Sequence, residues 1–203
     1  MRNFVVVIAC GGLGKRFGAD KAQQALGEET LLSRSIRLAE RFGKRIALAA
    51  RGQGVPGSGD LPILVDEHLD FGPISALSSA FGFAAREGFT HVLLLACDQP
   101  FLPDDLAERL TAAIGDSGVA LPVSNGRDQN MAALWRCDAA ALEAYIAGGG
   151  RSLWRFAETV GISRVDWGTE PSDPFADIDD TQQLAAARMR LEEDRGQDSE
   201  SAS

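Results

Sequence analysis

Ile8-Ala9-Cys10-Gly11-Gly12-Leu13-Gly14-Lys15-Arg16-Phe17-Gly18-Ala19-Asp20-Lys21 is the stretch whose reading decides the fold. An apolar run, Phe4 to Cys10, breaks there into a loop with four glycines, an arginine and two lysines. Glycine lets a backbone approach a ligand closely and reach positive φ. Backbone N–H groups and nearby cations then cradle phosphate oxygens. The expectation is a nucleotide held at the carboxyl end of a first strand. The loop is no Walker A motif, because GxxxxGK[ST] is absent. Gly12, Gly14 and Gly18 give GxGxxxG, one residue longer than the dinucleotide pattern. A dinucleotide site would also end its second strand in Asp or Glu, where this chain has Ala49-Ala50-Arg51. Arg16 and Lys21, five residues apart, suit a triphosphate.

Outward from this stretch, short apolar runs alternate with amphipathic segments. Phe4–Cys10, Arg45–Ala50, Leu61–Val65, His91–Ala96 and Val119–Val123 read as strands. Thr30–Phe42, Pro73–Arg86, Pro103–Ile114, Asp138–Ala147, Arg151–Val160 and Asp180–Leu191 read as helices. The spacing of Leu31, Ile36, Leu38 and Phe42, and of Leu106, Leu110 and Ile114, puts each set near one helical face. VVVIA and VLLLA are apolar throughout, as interior strands of a parallel sheet must be. The alternation predicts an α/β fold in one domain over residues 1–191, with a mostly parallel central sheet and helices on both faces. Residues 192–203 carry Glu192, Glu193, Asp194, Asp198 and Glu200 against Arg195. They read as an acidic, disordered tail.

With 203 residues and 45% hydrophobic composition the chain is long enough for a sizeable core. A formal charge of -9 argues against general nucleic-acid binding. The apolar N-terminal run is too short to span a membrane, and no small-residue cleavage site follows it. Cys10, Cys97 and Cys137 are scattered, with no zinc spacing, so a reduced cytoplasmic compartment is expected. His68 and His91 have no partnering pattern and read as non-catalytic.

In such sheets ligands sit beyond the carboxyl ends of the strands, and three motifs fall there. One is the glycine loop. Another is Cys97-Asp98-Gln99-Pro100, after HVLLLA. A carboxylate at the end of a buried strand is costly unless paired or metal-bound. Mg2+ prefers one or two carboxylates plus phosphate oxygens, so Asp98 reads as its ligand. The third is Asp66, which can bond a base or ribose. Gly72-Pro73 after it opens a helix whose free N–H groups, with Ser75, would face the same crevice. Asp179, in Asp177-Ile178-Asp179-Asp180, is a candidate second metal ligand or a helix cap. Residues 126–136 and 149–156 bring Arg127, Arg136, Arg151 and Arg155, of which Arg151 is the best candidate for an anionic second substrate.

The order Gly11-Gly12-x-x-x-Arg16-x-Gly18-x-x-Lys21, then Asp66, Gly72-Pro73, Cys97-Asp98-x-Pro100 and a helix-opening Asp segment resembles the molybdenum cofactor guanylyltransferase family. The likeness runs from about residue 4 to 190, and AALWR and GGRSLW-x-F add to it. It implies a three-layer, Rossmann-like nucleotidyltransferase. It also implies transfer of GMP from GTP to the terminal phosphate of molybdopterin, with release of pyrophosphate. By position, Ala9, Cys10, Gly11 and Gly12 would line the nucleotide site. Arg16 would meet the β/γ-phosphates, Lys21 the α-phosphate, Asp66 the guanosine, and Asp98 would hold Mg2+. Molybdoenzyme apoproteins or their chaperones would be further partners, with no nucleic acid and no membrane.

Asp177-Ile178-Asp179 resembles the cytidylyl branch instead, so GTP and CTP both stay open from the residues alone. A sugar-nucleotide-forming relative, a nicotinamide dehydrogenase and a non-catalytic nucleotide-binding adaptor are the other readings.

Overall fold

The computed structural model describes residues 3–11, 20–66 and 71–201. The strands are β1 (Phe4–Ala9), β2 (Ala25–Leu26), β3 (Glu29–Thr30), β4 (Ile46–Ala50), β5 (Ile63–Val65), β6 (His91–Ala96), β7 (Val119–Ser124), β8 (Arg127–Asp128), β9 (Ala132–Arg136) and β10 (Ile162–Trp167). The helices are α1 (Leu31–Phe42), α2 (Pro73–Glu87), α3 (Leu106–Ala113), α4 (Ala139–Ala147), α5 (Leu153–Val160) and α6 (Thr181–Ser201). The central sheet runs β10-β7-β9-β6-β1-β4-β5, with β8 pairing β7. β6, β1, β4 and β5 are parallel neighbours, as are β7 and β10. β9 is antiparallel to both of its neighbours.

β1 and β4 are apolar on every residue, and β6 on all but its first, because helices cover both faces. Val6, Ile8, Leu48, Leu93 and Leu95 pack with Leu38 and Phe42 of α1 and Leu106 and Leu110 of α3. Val5, Val7, Ala47 and Leu94 pack on the other side with Ile74 and Leu77 of α2, Leu142 of α4 and Phe156 of α5. A smaller cluster of Leu26, Leu31, Ile178 and Leu184 docks α6 beside the first helix.

The helix starts follow local chemistry. The Thr30 hydroxyl accepts from the Ser33 N–H and caps α1. α2 begins with Pro73 after Gly72 at φ 68°, a conformation glycine adopts without steric cost. α3 and α5 begin later than expected, at Leu106 and Leu153. In α5 the cap is Ser152, which accepts from the Arg155 N–H, so Arg151 lies outside the helix.

β9 and β10 have no counterpart among the expected strands. β9 is rich in alanine, a poor strand former, and burial rather than propensity places it. Its Trp135 is fully buried and stacks on Phe156 at a centroid distance of 5.9 Å. β10 is an edge strand with alternating exposure, so no continuous apolar run marks it. Helical backbone continues in α6 to Ser201, past Glu192, where composition alone suggested disorder. Leu184 and Ala187 anchor the first turns against the core, and a helix once nucleated there propagates one bond per residue.

Candidate active site

The parallel ladder continues one residue beyond the strands. The Cys10 N–H donates to the Ala49 carbonyl at 2.8 Å, the Cys97 N–H to Ala9 at 3.3 Å and the Asp66 N–H to Ala50 at 2.9 Å. These bonds hold the ends of β1, β4, β5 and β6 level. A cleft of about 280 Å³ opens above them. Ala9, Cys10 and Gly11 line its floor, with Ala96, Cys97 and Asp98 beside them. Gly72, Pro73 and Ala76 of the α2 start form one wall, and Asp177 and Asp179 close the opposite end.

One end of the cleft is a charge cluster. Lys21 opens a single 3₁₀ turn, Lys21–Gln23, whose first free N–H, that of Ala22, donates to the Asp20 carboxylate at 3.0 Å. Its Nζ donates to Asp98 Oδ2 at 2.5 Å and to Asp179 Oδ1 at 2.7 Å. The Ile178 N–H donates to the Asp98 carbonyl at 3.0 Å, tying the two acidic segments together. Ile178 is buried in the α6 cluster, so Asp177 and Asp179 on either side of it face the cleft. Burial works against the Lys21 charge, but the Asp98 and Asp179 carboxylates outweigh it and hold the ammonium above the ordinary lysine range. Burial pushes Asp177 up to about 6, with the charges of Asp98 and Asp179 adding to the shift.

Asp98 Oδ1 is buried and has no hydrogen-bond partner among the described residues. An uncompensated carboxylate oxygen in a cleft calls for a cation or a donor. Asp98 and Asp179 offer hard oxygen donors that already converge on one positive charge. Among the described residues no group of three or more His, Cys, Asp or Glu side chains forms a metal site. A two-carboxylate set fits a Mg2+-type ion, whose remaining positions go to phosphate oxygens and water.

The other end of the cleft is formed by Arg51 and Asp66, after β4 and β5. Burial raises Asp66 to about 6, although Arg51 and a hydrogen bond from Ser79 pull the other way. The folded protein therefore binds this proton more tightly than the unfolded chain, whose carboxyl titrates near 3.8. The resulting stability is fully present below the lower value and is lost as pH rises through the higher one. Asp66→Asn is expected to raise stability by about 1 kcal/mol near pH 7.5, the shift being discounted for partial exposure. Chemical denaturation should show that gain vanish below about pH 4.

Lys21, Asp98 and Asp179 thus meet at one point, with Ala9, Cys10 and Gly11 on the floor and Asp66 at the far end. Gly12 and Arg16 lie outside the described residues, as does His68. Arg151 is not part of the cleft lining. Its guanidinium lies 3.5 Å from the Phe71 ring centroid and donates to the Gly150 carbonyl at 2.8 Å. Phe71 precedes Gly72, which places Arg151 on the rim beside the α2 start. Arg136 donates to the Gly115 carbonyl at 2.6 Å and serves the fold. Ser75 is buried in α2 and does not line the cleft, contrary to expectation: the helix turns it inward. His91 sits at the start of β6, at the far end of the sheet, beside the Thr90 hydroxyl. Sequence reasoning missed Arg51 and Asp177. Arg51 registered only as the absence of a ribose-binding acid. The alternation Asp-Ile-Asp, with one apolar residue between two acids, was the available signal for Asp177.

The MobA-like NTP transferase domain family matches residues 6–161. The chain belongs to this family. It is 36% identical over 189 residues to the molybdenum cofactor guanylyltransferase of Rhodobacter capsulatus, covering 91% of this chain and 95% of that protein. It is also 36% identical over 186 residues to the protein of the same name from Acidiphilium cryptum, covering 89% and 92%. The crystal structure of molybdopterin-guanine dinucleotide biosynthesis protein A from Archaeoglobus fulgidus shares the fold, with a TM-score of 0.73 at 19% identity, covering 93% of this chain and 98% of that one. The expected α/β fold with a mainly parallel central sheet is the one this chain has, and it shares that fold with the archaeal structure. No helix among the described residues is long and apolar enough to cross a membrane.

Proposed function

We propose that this NTP transferase moves GMP from GTP to the terminal phosphate of molybdopterin, releasing pyrophosphate and forming molybdopterin guanine dinucleotide. The observation that carries the reading is the convergence of Lys21, Asp98 and Asp179 at one end of a cleft above the sheet. The name of the two relatives, molybdenum cofactor guanylyltransferase, supports a guanylyl group as what is moved and the molybdenum cofactor as what receives it.

The attacking group is itself a phosphate, so no strong base is required. The protein must align it with the α-phosphorus and neutralise charge on the departing pyrophosphate. Asp98 and Asp179 would hold Mg2+, which supplies electrostatic stabilisation of the phosphate oxygens when bound. Lys21 is assigned to the α-phosphate and Arg16 to the β/γ-phosphates. Ala9, Cys10, Gly11 and Gly12 let the backbone lie close to the nucleotide. Asp66 takes the guanosine. Arg151, on the rim, is assigned to the anionic acceptor. The free thiols of Cys10, Cys97 and Cys137 suit a reducing cytoplasm, where molybdoenzyme apoproteins or their chaperones would receive the product.

Pyrophosphate release measured with each of the four NTPs, with and without molybdopterin, tests the proposal. GTP with molybdopterin should be the productive pair, and EDTA should reduce the rate by at least about 100-fold. The Asp177-Ile178-Asp179 form favours CTP as the second reading, and release with CTP alone would establish that branch instead.

A further inference from the structure

We infer that Arg34 of α1 and Arg190 of α6 are positioning residues, which aim the Asp98 carboxylate at its ion by clamping Phe101 and the turn before it. The inference rests on the proposed role of Asp98 as a ligand of Mg2+. β6 ends at Ala96 and α3 begins at Leu106, so the turn that carries Asp98 has no strand or helix of its own. Its polar groups must find partners elsewhere.

Those partners come from two places. From α1, the buried Ser35 hydroxyl shares its proton between the Leu31 carbonyl at 2.9 Å and the Cys97 carbonyl at 3.0 Å. Arg34 Nε donates to the Pro100 carbonyl at 2.7 Å. From the segment that leads into α6, the Ile178 N–H holds the Asp98 carbonyl, and the Phe175 carbonyl accepts from buried Gln99 Nε2 at 3.1 Å. Phe101 joins the two sets. The guanidinium carbon of Arg34 lies 5.2 Å from its ring centroid, and that of Arg190 lies 3.9 Å from it. Arg190 also donates to the Asp173 carbonyl at 2.9 Å.

Neither arginine is among the described residues that line the cleft. The Arg34 side chain is only 13% exposed, with the Glu29 carboxylate 3.9 Å away. Burying a guanidinium is costly, and here it holds a carbonyl two residues from Asp98. The Asp98 side chain leaves the backbone between two held carbonyls, so a rotation of either peptide plane swings the carboxylate. Arg34 and Arg190 fix the far side of the turn, at Pro100 and Phe101, and so keep those planes from pivoting. Outer contacts that orient a metal ligand in this way commonly carry about 10–100-fold in metal affinity.

Calorimetric titration of the full chain with GTP, once in Mg2+ and once in EDTA, tests this without an acceptor. The ratio of the two affinities measures how far ion and nucleotide help each other to bind. Asp98→Ala should abolish the Mg2+ advantage. Arg34→Met should cut it about tenfold and leave the affinity in EDTA unchanged, which also reports that the variant is folded. Arg190→Met should act in the same direction. The double variant should lose less than the product of the two single losses, because both arginines act through Phe101. Arg37→Met removes an α1 guanidinium whose partner is Glu29 at 2.9 Å, and should change neither affinity. An undiminished Mg2+ advantage in Arg34→Met would overturn the inference. So would equal losses with and without the ion, which would make the arginine a structural residue only. If Asp98→Ala abolishes the advantage while Arg34→Met keeps it, only the positioning inference fails. If Asp98→Ala keeps the advantage, the ion assignment itself fails.

Discussion

Asp98→Ala is expected to lower GMP transfer by at least about 100-fold, the usual cost of one contact that stabilises transition-state charge. The protein should stay folded. Lys21 keeps its 2.7 Å bond to Asp179, and the substitution removes the buried oxygen, Oδ1, that lacks a partner. Paired measurements of pyrophosphate release and denaturant unfolding check this. A large loss of rate with an unchanged unfolding midpoint is the signature of a carboxylate kept for the nucleotide. Full activity in Asp98→Ala would remove the assigned metal ligand.

Lys21→Ala should behave differently, because Lys21 is both catalytic and structural. Turnover should again fall by at least about 100-fold, while GTP affinity falls by less than about tenfold. Stability should fall too. Without the ammonium, Asp98, Asp177 and Asp179 stand together with nothing between them, and the deficit is about 1–2 kcal/mol after allowance for the exposure of Asp179. The sign with pH follows from linkage. Burial and the neighbouring carboxylates already raise Asp177, and losing the Lys21 charge that opposes them raises it further, so the variant loses stability as pH rises and approaches wild type in acid. Mg2+ should stabilise Lys21→Ala more than wild type, because the ion takes over the charge that the ammonium supplied. A pure binding defect with unchanged turnover would contradict the α-phosphate assignment.

What could be read in the sequence follows the physics of each element. VVVIA and VLLLA announced interior strands because both of their faces are buried, which leaves no polar residue to confuse the period. β10 did not announce itself because an edge strand exposes one side, and β9 because Ala132 and Ala133 carry no strand preference of their own. Asp98 was legible as a carboxylate stranded at the end of a buried run. Its meeting with Asp179, through Lys21, was not. Lys21 is 77 residues from Asp98 and 158 from Asp179, and only the crossovers of the sheet bring them together. Arg51 escaped notice for a related reason. An arginine after a strand has no local meaning until β5 is paired beside β4 and Asp66 lies next to it.

The central claim is that Asp98 and Asp179 share a divalent ion with a triphosphate. Anomalous diffraction from crystals grown with Mn2+ and a non-hydrolysable GTP analogue tests it most directly. The account predicts a manganese peak between the two carboxylates, with the Lys21 ammonium moved from them to the nucleotide. A peak elsewhere, or Lys21 still bridging Asp98 and Asp179 with the nucleotide in place, would contradict it.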